Sequence, residues 1–267
     1  MLIFMRKRIF GGNWKMQATT IEKSVEITES MLKSIPKEYF SEIDVFICPS
    51  FTALAAVCEV VKGTPLKVCA QNMHSEVNGA FTGEISIDSI KELGCEYVLL
   101  GHSERRRIFK EDDKFINKKV HTALNNNLKV VLCIGETAKE RNDGKIKEVN
   151  ESQLANSLKG VIEEQLSNII IAYEPVWAIN NPALNPGIEI RAATSKEAQE
   201  AHTIVRNWFA KNYSQKSAEN IRIQYGGSMN KKNADELLAI SDIDGGLIGS
   251  ASLKTDDFLP ILTNAIK

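Results

Sequence analysis

The sequence has almost no net charge. Its 33 Lys and Arg stand against 34 Asp and Glu, a formal balance of -1. No field of one sign draws nucleic acid or an acidic membrane surface, so neither is an expected partner. Long apolar runs are missing as well, and nothing approaches the ~18 consecutive apolar residues of a membrane span. Cysteine is scarce: Cys48, Cys58, Cys69, Cys95 and Cys133 form an odd set, lack metal-type spacing and mostly lie in apolar stretches. They read as reduced thiols packed as small hydrophobes in a reducing compartment, not as a disulfide framework or a metal site. A secretory leader is not expected, because Arg6, Lys7 and Arg8 follow a very short apolar start, the wrong order and length for one. There is no linker, low-complexity segment or residue-level repeat. The expectation is a soluble, cytoplasmic chain with one domain over 1–267.

What is present is apolar material in short pieces. The chain is 43% hydrophobic over 267 residues, close to the ~250 residues typical of an α/β barrel. The runs are Ile9–Trp14, Val45–Cys48, Leu66–Ala70, Tyr97–Leu100, Val130–Ile134, Ile169–Tyr173, Ile221–Tyr225 and Gly246–Ile248. Amphipathic stretches with helical spacing follow them: Ile21–Ser34, Ala53–Lys62, Ile87–Leu93, Lys114–Asn126, Glu151–Leu166, Lys196–Tyr213, Lys231–Ile240 and Asp256–Ile266. Thr194, ahead of Glu197, and Ser152 are placed to cap two of these helices. Strand and helix alternating in this way predict a single-domain (β/α)8 barrel. An open doubly wound sheet is the second choice, but its edge strands should be more polar than these runs.

In such a barrel the reactive groups sit past the carboxyl ends of the strands. The sixth run ends in Tyr173-Glu174-Pro175-Val176-Trp177. A lone Glu there, beside a backbone stiffened by Pro and Trp, is placed to act as a base. The first run ends in Asn13-Trp14-Lys15-Met16, an amide donor and a positive charge for one anionic substrate. The fourth ends in Gly101-His102-Ser103-Glu104 and three arginines. At a helix start His102 is disfavoured as imidazolium and can donate as a neutral ring, with Glu104 and the arginines as a charge network behind it. Gly226-Gly227-Ser228 and Gly249-Ser250-Ala251-Ser252 close the last two runs. These loops permit close backbone approach to a phosphate, where barrels commonly place one.

Together these stretches resemble the triosephosphate isomerase family. Others extend the likeness in family order: Ala70-Gln71-Asn72, Gly79-Ala80-Phe81-Thr82-Gly83-Glu84, Cys133-Ile134-Gly135-Glu136, and Asp244-Gly245 through Lys254. The resemblance implies a TIM barrel that interconverts dihydroxyacetone phosphate and glyceraldehyde 3-phosphate through an enediolate, in glycolysis and gluconeogenesis. It implies Glu174 as base, His102 as the group polarising the carbonyl, Lys15 as counter-charge, Asn13 as oxyanion donor and Glu104 as the support of Lys15. Ser228, Gly249, Ser250 and the lid residue Asn180 would hold the phosphate. Neither metal nor organic cofactor is implied, since the chemistry is proton transfer alone. A homodimer is implied too, with Thr82 reaching the partner's site and Met16 at the interface.

The chain departs from the family in its lid. The segment 180–190 is longer than the family's, Asn180 replaces a lid glycine, and Ser250 replaces the second glycine of a pair. Every chemical residue survives, which favours a lid that still closes, with more of the enediolate eliminating phosphate to leave methylglyoxal. The alternative is an impaired barrel acting as a phosphate-ligand-binding or scaffold protein. Another barrel enzyme is disfavoured. An aldolase wants a lysine inside an apolar run, and here only Lys67 and Lys129 lie near run starts. An epimerase wants paired acids or a metal site.

Overall fold

Each apolar run becomes a strand because both of its faces meet apolar neighbours. A computed structural model describes residues 6–187 and 189–266. The start of the N-terminal stretch and Ile188 of the long lid segment lie outside the described residues. The strands are β1 (Arg8–Asn13), β2 (Ile43–Cys48), β3 (Lys67–Ala70), β4 (Tyr97–Leu100), β5 (Lys129–Ile134), β6 (Ile169–Tyr173), β7 (Arg222–Tyr225) and β8 (Gly245–Ile248). Each pairs in parallel with the next, and β8 returns to β1 at Ile9↔Gly245, closing the barrel. An open sheet is thereby ruled out, and the expected (β/α)8 barrel stands.

Alternation within the strands makes two cores. Ile9, Phe46, Leu99, Val131, Ile170 and Leu247 pack together in the barrel interior. Their chain neighbours Phe10, Val45, Leu100, Leu132, Ile171 and Ile248 join the larger core under the helices. Phe46 stacks on Tyr97 with centroids 5.1 Å apart. A Cβ at Gly11 would lie 2.3 Å from the Phe46 ring, so this bulky side chain fits only because its neighbour on β1 has none. All five cysteines are free and buried, and Cys48, Cys69 and Cys133 fill the interior.

The layer outside is formed by α1 (Ile21–Ser34), α2 (Phe51–Val61), α3 (Ile87–Glu92), α4 (Asp113–Asn125), α5 (Ile146–Ser157), α6 (Ser195–Asn212), α7 (Ala234–Leu238) and α8 (Thr255–Asn264). Thr194 caps α6 as expected: its Oγ accepts the Glu197 N–H, while Glu197 accepts the Thr194 N–H at 2.9 Å. The stretch between β5 and β6 differs from expectation. One helix was expected over Glu151–Leu166, but α5 begins at Ile146 and ends at Ser157, and Glu163–Asn168 forms a separate 3-10 helix. Gly160, at φ 81°, turns the chain between them. Ser152 therefore lies inside α5 and caps nothing. No helix among the described residues is long and apolar enough to cross a membrane.

Candidate active site

The strand ends bring Asn13, Lys15, His102 and Glu174 to one cavity of about 240 Å³, and Glu104 lies outside its lining. Asn13, the last residue of β1, is buried, and its Oδ1 accepts the Lys15 N–H at 3.1 Å. That tight turn puts Lys15 at φ 53°. Gln71 holds the turn from below, its Nε2 donating to Lys15 O at 2.8 Å and Cys48 O at 2.9 Å. The Lys15 ammonium reaches Glu104 Oε1 at 2.8 Å.

His102 leaves β4 as the cap of a short helix, Ser103–Arg107. Its Nδ1 accepts the Glu104 N–H at 3.3 Å. A ring nitrogen that accepts carries no proton, so this geometry selects the neutral ring protonated on Nε2. Nε2 then donates to Glu174 Oε1 at 2.9 Å. The Glu104 carboxylate lies 3.6 Å from Nδ1, too far for a hydrogen bond.

Glu174 follows β6 directly and is buried, with Oε2 accepting the Ser103 N–H at 2.8 Å. Burial pushes its carboxyl up. The hydrogen bonds from His102 Nε2–H and the Ser103 N–H, with the Lys15 charge, outweigh that and hold it below the usual carboxylate range. Glu104 follows the same pattern: burial raises it, and the Lys15 ammonium and a bond from Asn181 bring it down.

Ser228, Gly249, Ser250 and Asn180 line the same cavity as His102 and Glu174. Gly249 sits beside Lys15, where a Cβ would lie 4.0 Å from Cε. Asn180 is exposed. Thr82 is exposed on its loop and does not line the cavity. The arginines after Glu104 are anchored to the scaffold and not to Glu104. Arg105 meets Glu111 at 2.6 Å, Arg106 pairs with Asp113 and bonds Gly101 O, and Arg107 meets Glu140 at 3.0 Å.

Three residues that matter here had no assigned role in the sequence reading. Gln71 pins the Lys15 backbone, and Glu136 holds the turn after β6. Glu136 Oε1 takes the Trp177 N–H and the Tyr173 hydroxyl, both at 2.9 Å. The Trp177 ring also carries Arg141 and Arg191 guanidinium groups at 4.7 and 4.8 Å. Both Gln71 and Glu136 lie in stretches that match the family, which was the available signal. Asn181, the third, lies in the departing segment, where no such signal exists.

A closed parallel barrel whose strand ends aim a carboxylate, an imidazole and an ammonium into one small cavity defines an acid–base enzyme of the (β/α)8 class. Comparison with known proteins gives the family. A family model described as triosephosphate isomerase matches residues 8–265. A triosephosphate isomerase of Clostridium tetani is 44% identical over 97% of this chain and 96% of its own. Those of Prosthecochloris aestuarii and Chlorobium phaeovibrioides are 45% and 43% identical, each over 98% of this chain and 100% of their own. The chain belongs to the triosephosphate isomerase family, and it is an isomerase. Nothing in the comparisons favours the binding-only alternative.

Proposed function

We propose that the chain interconverts dihydroxyacetone phosphate and D-glyceraldehyde 3-phosphate through an enediolate. The observation that carries this reading is the meeting of Glu174, His102 and Lys15 at one cavity, with Glu174 Oε1 2.9 Å from His102 Nε2. Glu174 takes a carbon-bound proton from the substrate and returns it to the neighbouring carbon. At rest its negative charge is held by His102 and Ser103. Turning toward a substrate loosens those bonds, so burial, which raises proton affinity, is less fully offset than at rest. The carboxylate becomes a better base as it reaches its proton.

His102, protonated on Nε2, donates to the substrate carbonyl and moves protons between the two oxygens. Asn13 supplies a further donor to the oxyanion, a kind of preorganised contact worth about 2.7–4 kcal/mol. Lys15 offsets the substrate's charge, and Glu104 sets where that ammonium rests. Ser228, Gly249 and Ser250 surround the phosphate, with Asn180 at the rim. The reaction moves protons only and asks for no cofactor.

The same reading makes the chain a cytoplasmic homodimer with no nucleic-acid or membrane partner. Met16 is 87% exposed and Phe81 43% exposed, apolar surface that an unpartnered chain leaves in water. In the dimer the Thr82 loop covers it and approaches the partner's site.

A coupled assay on the purified chain with D-glyceraldehyde 3-phosphate tests the reaction. Turnover is expected, with methylglyoxal released at a higher fraction per turnover than by a short-lid relative. A folded chain without turnover would end the isomerase reading. Equal methylglyoxal fractions would remove any chemical cost of the long lid.

A further inference from the structure

Asn181 connects the long lid segment to the charge that faces the substrate. The segment is well fastened where it leaves the 3-10 turn Val176–Ala178. The Asn181 N–H donates to Ile179 O at 2.8 Å, and the Leu184 and Asn185 N–H groups both donate to Asn181 O at 3.1 Å. Buried Asn185 donates from Nδ2 to Val176 O at 2.8 Å and Ile179 O at 2.9 Å. Asn followed by Pro182 starts a turn, and Asn181 Oδ1 closes it by accepting the Ala183 N–H at 2.9 Å.

That bond orients the amide. With Oδ1 occupied, Nδ2 is turned inward and donates to Glu104 Oε1 at 2.7 Å. The same oxygen receives the Lys15 ammonium at 2.8 Å. A carboxylate oxygen facing two donors divides its charge between them. While Asn181 is in place, Glu104 holds Lys15 less exclusively, and the ammonium keeps donors for an anion in the cavity. Without Asn181 the ion pair closes on itself. The bond is also a charge-assisted link holding the segment at the cavity mouth.

We propose that Asn181 is a positioning residue. Acting through Glu104, it couples the lid's position to the Lys15 charge and so tightens the site on a small phosphomonoester. The proposal rests on the isomerase reading only for the identity of that phosphomonoester. Asn181 itself touches no substrate.

The test is calorimetric binding of glycerol 3-phosphate, which needs no turnover, run beside the isomerase assay. Asn181→Ala should weaken binding about tenfold, the scale of one hydrogen bond to a charged group. Asn181→Asp keeps the shape but sets a second carboxylate against Glu104, so it should bind more weakly than the alanine variant. In a Glu104→Gln background, Asn181→Ala should cost only about twofold or less, because residues in contact are not additive. Equal losses in both backgrounds, or an aspartate variant that binds as well as the parent, would reduce Asn181 to lid packing. The full binding pattern in a chain without turnover would sink the isomerase reading and leave the coupling intact.

Discussion

Replacing Glu174 with alanine lowers kcat by about 10²–10⁴-fold, the usual contribution of a positioned general base. No other carboxylate in the site takes its place, since Glu104 is engaged with Lys15 and Asn181. Glu174→Asp keeps the charge but draws it back by one methylene, and a misplacement of ~1 Å can itself cost about 10²-fold. Steady-state turnover from glyceraldehyde 3-phosphate, with circular dichroism to confirm folding, reads both variants. An alanine variant within tenfold of the parent would mean that another group removes the proton.

The acid limb of stability supplies a second readout. Glu174 sits below its ordinary value of 4.5 in the folded chain. The stabilisation that goes with this is complete above the usual carboxylate range and is lost as pH falls through the folded value. The parent should therefore lose stability in acid more steeply than Glu174→Ala, measured as urea midpoints between neutral pH and pH ~3. Parallel curves would show that the carboxylate is no more favourably placed in the fold than in the unfolded chain.

Alanine at Gly135 damages the same base from behind. Gly135 directly follows β5 at φ 157°, where an added Cβ would lie 1.8 Å from the Glu174 carbonyl oxygen. The Glu174 N–H is fixed to Ile134 O at 2.7 Å, and Gly135 is held by Gln153 at 2.8 Å. Neither chain yields freely, so the clash passes into the backbone that carries the carboxylate. The expected result is a fall in kcat/KM of about 10²-fold and a stability loss of roughly 1–3 kcal/mol from overpacking. Urea denaturation and turnover measured on one preparation separate the two effects. A variant that is less stable but fully active would show that the strand ends flex without moving the base.

How much of this was legible in the sequence depended on the distance over which each signal acts. Tyr97–Leu100 and Ile169–Tyr173 were read to the residue, because a strand buried on both faces must be apolar throughout. Glu174, His102, Lys15 and Asn13 were legible because each lies at the end of such a run or within two residues past it. Around α5 the pattern was ambiguous: a polar surface helix and a 3-10 turn look alike in composition, and the break at Gly160 depends on its backbone angle. The arginines after Glu104 read as one network with it. Their partners, Glu111, Asp113 and Glu140, follow only from how α4 and the short helix Ala138–Asn142 pack. The sequence reading placed Asn180 at the phosphate and gave Asn181 no role, and the Pro182 turn is what aims the Asn181 amide at Glu104.

Lys15 holds its place with a left-handed backbone, φ 53°. For a residue with a Cβ this costs roughly 1–2 kcal/mol, which glycine would recover in full and asparagine in part. Selection for durability alone therefore pushes position 15 away from lysine, and selection for turnover holds it there. In a descendant lineage freed of its substrate, this position would be among the first to drift, and the protein would become harder to unfold as it forgot its reaction.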